Sequence, residues 1–197
     1  SAMPYRGLTA TELRALLRPV LTAYGPVGRP EWERAVRLLW DEARFREERY
    51  AATALAQHRS AQAWQDPAAM GLYRHLVVTG AWWDHVDDLA THSVAPILLR
   101  HPASETQRMR TWAIEDDLWL RRVAILCQLP FGAATDLDLL TEVIEAMGYE
   151  VGQEEPAAPS PVPPPEDDRR RILGELAAGR LTADDAIKAL RGGAPNS

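Results

Sequence analysis

The chain has 197 residues, 46% hydrophobic and 25% charged, with a formal net charge of −6, which is enough for one globular core plus an appendage. The acid excess argues against a protein that coats nucleic acid indiscriminately, so any contact with a phosphate backbone would need a local arginine patch. Cys127, the single cysteine, sits in the apolar run from Val123 to Leu126, so it reads as a small buried hydrophobe in a reducing setting. No basic-then-apolar leader opens the sequence and runs such as Val94 to Leu99 are too short to cross a bilayer, so a soluble, cytoplasmic protein is expected.

Helical periodicity dominates the chain. Thr9-Ala10-Thr11-Glu12 reads as a capping box, followed by Leu13, Leu16, Leu17, Val20, Leu21 and Tyr24 at spacings of three and four. Gly25-Pro26 ends that helix. Pro30 opens the next, with Trp32, Val36, Leu39 and Trp40 inward, and a charged helix over 42–58 follows. Further helices are predicted over 67–78, 82–100, 104–114, 117–129 and 136–147, with a kink just before Pro96. Almost nothing reads as a strand. Short helices joined by short turns predict an all-α fold, an α-solenoid of antiparallel helical pairs over residues 1–149.

From Glu150 the composition changes. Residues 150–168 are rich in proline and read as an extended, polyproline-like linker. Residues 169–192 then form a predicted two-helix hairpin: Ile172, Leu173 and Leu176 on one helix, Gly179 as its stop, and Thr182-Ala183-Asp184-Asp185 as a cap before Ile187 and Leu190. That unit is too small to be stable alone and is expected to bind a protein partner or self-associate.

Chemistry concentrates in "GAWWDHVDDLATH", residues 80–92. On a helix Trp83 and Asp87 share a face, with Asp84 and Asp88 turned progressively away. An aromatic plane one turn from a carboxylate suits a cationic, sugar-like transition state, since both stabilise positive charge. The bland alternative is a core tryptophan pair followed by capping or solvated aspartates. In "DDLWLRRVAILCQL", Trp119, Val123, Leu126 and Cys127 make an apolar stripe interrupted by Arg121, read as a surface charge, and Arg122. Arg122 could reach a phosphate or pair with Asp87, and a buried structural salt bridge competes with both. His85, Asp88 and His92 have a permissible metal-ligand spacing on one face, but a solvated face is the simpler reading without a supporting Cys/His cluster. No glycine-rich phosphate loop, serine-nucleophile motif or CxxC pair appears.

Taken together, "GAWWDHVDDLA", "HP", "MRTWAIEDDLWLRRVAILCQL" and "TDLDLL" resemble the AlkD-like DNA alkylation repair family, and "SAMPYRGLTATELR" is similar to its first ordered turn and helix. The resemblance covers about residues 1–147. It implies HEAT-like helical pairs and a glycosylase that removes positively charged N3- or N7-alkylated purines from double-stranded DNA by hydrolysing the glycosidic bond, without metal or organic cofactor. Carried over residue by residue, it makes Trp83 the tryptophan packed against the lesion's deoxyribose, Asp87 the carboxylate that stabilises the oxocarbenium-like sugar, and Arg122 the arginine on the nearby phosphate. Family members continue into further helical pairs bearing a second DNA-facing tryptophan, which has no counterpart before the linker here. The alternative expectation is therefore a HEAT-like module that binds damaged DNA or a protein partner without turnover. The tail resembles short C-terminal (SHOCT-type) helical hairpins.

Overall fold

The computed structural model describes residues 3–148 and, beyond them, Asp168, Arg171, Gly174, Glu175 and Arg180. The rest of the expected linker and hairpin lies outside the described residues. The chain divides into two units, Ser1–Val151 and Gly152–Ser197, and the helical stack belongs to the first.

Local signals set the helix ends. The Thr9 hydroxyl accepts from Glu12 N while the Glu12 carboxylate takes the Thr9 N–H at 2.8 Å, which starts α1 (Ala10–Ala23). Pro30 occupies the first turn of α2 (Arg29–Asp41), where its missing N–H costs nothing. α3 (Arg46–Ala56) begins later than the charge pattern predicts. Glu48 takes the N–H groups of Arg44 and Phe45 at 2.6 and 3.1 Å, which holds residues 42–45 as a turn. A 3₁₀ turn over Pro67–Ala69 leads into α4 (Met70–Gly80).

The helix predicted over 82–100 is α5 (Trp83–Leu89) and α6 (Ala95–Arg100), joined by a π-turn at Ala90–Val94 in which Ala95 N–H bonds to Ala90 O. The wide turn lies just before Pro96, where the N–H needed to continue the ladder is missing. α7 (Pro102–Ala113), α8 (Leu118–Leu126) and α9 (Leu137–Ala146) complete the stack, with Asp117 and Asp136 capping the last two. The 3₁₀ segments Arg59–Trp64 and Leu129–Ala134 have no signal in the periodicity.

Helices pack as successive pairs, α2 on α3, α4 on α5 and α7 on α8. α1, α3, α5 and α8 follow one another in one row, while α2 lies beside α4 and α7 beside α9. The fold is an all-helical solenoid of the expected kind. Its core runs through Trp32, Val36 and Trp40 of α2, Leu72, Tyr73 and Leu76 of α4, Val86 and Leu89 of α5, and Leu120, Val123 and Ala124 of α8.

Three expected apolar faces change. The i, i+4, i+8 row of Trp32, Val36 and Trp40 fills the interior, so Leu39 turns to solvent. α1 has no fully buried residue: Leu13, Leu17, Leu21 and Tyr24 are half-buried, Leu16 and Val20 are exposed, and α3 is its neighbour in the row. In α8 the inward stripe is Leu120, Val123, Ala124 and Cys127, with Trp119 and Leu126 half-buried, so the true face lies one residue round from the predicted one. Cys127 is buried as expected, and desolvation pushes its thiol up to about 12.

The α4–α5 corner reverses the usual use of glycine. A left-handed residue after a helix is normally glycine, yet here Gly80 is helical and Ala81 takes φ 43°. A Cβ on Gly80 would lie 2.9 Å from Trp40 Cζ2, inside a fully buried ring. Glycine is therefore spent on clearance, and the strained turn falls on the next residue. Gly80→Ala is expected to destabilise the protein by about 1–3 kcal/mol through overpacking. Ala81→Gly is expected to stabilise it by about 1 kcal/mol by relieving left-handed strain. Urea denaturation of the two variants checks both signs.

Candidate active site

The exposed side of α5 faces away from Val86 and Leu89 and carries Trp83 and Asp87 one turn apart. Trp83 is 53% exposed, so it is not a core tryptophan. Its ring centroid lies 6.2 Å from that of Trp82, which is half-buried. On α8, Arg122 projects from the side opposite the Leu120–Ala124 stripe and reaches across to α5. Its Nε and Nη2 donate to Asp87 Oδ1 and Oδ2 at 2.6 and 2.7 Å, a two-point fork. The structure thus brings Trp83, Asp87 and Arg122 together on one face.

This pair is not buried: the side chains of Arg122 and Asp87 are 42% and 32% exposed. Hydrogen bonding to Asp87 raises the guanidinium's pKa further, so Arg122 stays charged. A guanidinium has five N–H donors, and two of Arg122's are used by Asp87. The remaining edge is available to a second anion.

Each aspartate of the motif has its own partner. Asp84 accepts the hydroxyl of Tyr50 on α3. Asp88 accepts Gln57 Nε2 at 2.8 Å and pairs with His92 Nδ1 at 3.1 Å. Tyr50 is pushed up to about 12, first by burial and then by its bond to Asp84, so it remains a donor. Tyr50 and Gln57 were not legible as site-supporting residues because the charge of "REERYAATALAQ" suggests a solvated helix. The small stripe Ala52, Leu55 and Ala56, which seats that helix, was the usable signal.

His85 turns inward. It is 2% exposed, 5.2 Å from the Trp40 ring and 4.8 Å from the Tyr50 ring, and its buried Nδ1 has no hydrogen-bond partner. It is thus a packed ring and not part of a solvated metal-ligand face. Among the described residues no three His, Cys, Asp or Glu side chains gather as a metal would require. No described helix is long and apolar enough to cross a membrane.

A family model described as DNA alkylation repair enzyme matches residues 1–148, the whole stretch of the helical stack. The chain belongs to this DNA alkylation repair family. No curated protein is significantly similar to it. Membership supports a role in the repair of alkylated DNA and places the chain in a family of enzymes.

His85 makes acid stability testable. Burial, reinforced by Arg49 and Arg46 and opposed by Asp84, lowers its pKa from 6.5 to about 4. Between those values the unfolded chain binds the extra proton, so His85 withdraws stability as pH falls from about 6.5 to about 4, by about 3 kcal/mol at the lower limit. His85→Phe is expected to flatten the pH dependence of urea unfolding in that window. Equal slopes for the two proteins would show that the ring takes up its proton equally in the folded and unfolded states, against the burial effect.

Proposed function

We propose that the protein is a DNA glycosylase that excises cationic N3- or N7-alkylated purines from duplex DNA, releasing the free base and leaving an abasic site. The observation that carries this reading is the exposed Trp83 beside a carboxylate held in a two-point fork by Arg122. An alkylated purine already bears positive charge. When its C1′–N bond breaks, the bonding pair neutralises the ring and the base leaves uncharged, so no general acid is needed.

What needs stabilising is the positive charge that develops on the sugar. Trp83 offers its π face and Asp87 its carboxylate, both on one side of α5. Water then adds to C1′, and Asp87 orients it and accepts its proton on the way to solvent. Arg122 fixes the Asp87 rotamer with two N–H groups and donates its free edge to a neighbouring phosphate. The two roles weighed for Arg122, phosphate contact and pairing with Asp87, are compatible because they use different edges of one guanidinium.

The test is single-turnover release of 7-methylguanine from a duplex carrying one such lesion. Asp87→Asn is expected to slow release about 10²–10³-fold while unfolding at the same urea concentration as the parent. No release by the parent despite binding of the duplex would instead make the chain a damage-binding module. Arg122→Ala is expected to weaken duplex binding and slow release while costing under about 1 kcal/mol of stability, since the pair is partly exposed. A large drop in melting temperature with normal binding would make Arg122 structural.

A further inference from the structure

Next to the candidate site, the first ordered turn, α1, α3 and α5 enclose a cleft of about 760 Å³. One wall carries Arg46, held against aromatic rings. Arg46 on this wall has no carboxylate in a salt bridge with it among the described residues and lies instead beside the Tyr50 hydroxyl. Its guanidinium carbon lies 5.3 Å from the Trp82 ring centroid and 5.9 Å from that of Tyr5, and its Nε is buried without a hydrogen-bond partner. The carboxylates on the same cleft are already engaged, Asp84 by Tyr50 and Asp88 by Gln57 and His92.

The chain builds this arrangement deliberately at the backbone level. Arg46 N–H donates to Pro4 O at 3.0 Å, and Glu47 Oε1 takes Arg6 N–H at 2.7 Å. The first turn is thereby tied to the start of α3, which brings Tyr5 beside Arg46. Aromatic rings hold a guanidinium in place without consuming its N–H donors. Even with one donor beside the Tyr50 hydroxyl, a guanidinium with five N–H groups and no carboxylate partner can receive a tetrahedral oxyanion, which it can grip at two points.

Electrostatics points to a nucleic-acid phosphate. Asp87 and Arg122 neutralise each other, and the chain as a whole is acidic, so attraction for a polyanion must come from another cation near Trp83. Arg46 meets that need: it lies against Trp82, whose ring adjoins Trp83, and Arg14 of α1 borders the same cleft. We propose that Arg46, held between Tyr5 and Trp82, grips a backbone phosphate of the bound duplex and is the positioning residue that seats the lesion over Trp83 and Asp87. This rests on the duplex-DNA reading above.

The experiment measures duplex affinity against salt concentration, with and without a 7-methylguanine lesion, for the full chain and two variants. Arg46→Gln keeps most of the packing on Tyr5 and Trp82 and removes the charge; Arg46→Lys keeps the charge. For Arg46→Gln the Kd of both duplexes is expected to rise by the same factor, about tenfold, and the log–log salt slope to fall by about 1. Arg46→Lys should restore the slope and most of the affinity, which a purely packing role for the side chain would not require. Unchanged affinity and slope in Arg46→Gln would overturn the proposal, whether or not its melting temperature falls. If the parent itself shows no salt-dependent duplex binding, the DNA reading fails first and Arg46 with it.

Discussion

The position of α5 depends on the packing of one ring. Trp40 is fully buried, donates its indole N–H to Thr79 Oγ at 2.8 Å, lies under the Arg49 guanidinium at 4.7 Å and meets His85 edge-on. It also forbids a side chain at Gly80, 2.9 Å away. The chain must therefore reverse at Ala81 and Trp82 and start α5 with His85 turned into the core. Once His85, Val86 and Leu89 are inside, the helical repeat of 3.6 residues leaves Trp83 and Asp87 outside. The exposure of Trp83 and Asp87 is thus a consequence of what Trp40 excludes on the other side of the same helix.

A site built this way needs its charges tied down separately. Three aspartates within five residues repel one another, and each is compensated from a different direction: Asp84 by Tyr50, Asp88 by Gln57 and His92, and Asp87 by Arg122. The first two compensations come from α3 and its C-cap, Gln57, and from His92 in the π-turn that follows α5. The third comes from α8 and spans the next helical pair. Asp87 is therefore the carboxylate whose cationic partner sits on the open face with N–H donors left to turn toward a bound molecule.

Much of this was legible in the sequence, and the losses have physical causes. The cap at Thr9, the helix starts at Asp117 and Asp136 and the break before Pro96 depend on neighbouring residues only, so local reading finds them. The faces of α1 and α8 and the direction of Leu39 depend on which helices arrive beside them, and periodicity alone allows adjacent registers. At the site, the spacing of Trp83 and Asp87 and the family resemblance singled out residues that the structure places together on one face. The side-on fork from Arg122, the inward turn of His85 and the ring-held Arg46 are tertiary facts, because each joins segments about thirty or more residues apart.

The same arrangement bears on how an acidic protein can act on DNA. A lone exposed carboxylate beside a phosphate backbone would be repelled; the Arg122 fork makes the pair neutral at long range while leaving the carboxylate oxygens negative at contact distance. Screening by solvent weakens the distant field more than the near one. In the proposed reaction this favours a substrate whose positive charge lies within a few ångströms of Asp87, such as a cationic purine and the sugar cation it leaves behind, over an ordinary neutral nucleotide. Selectivity for the lesion would then arise from where charge sits in the transition state, with no enclosed pocket required to recognise the base.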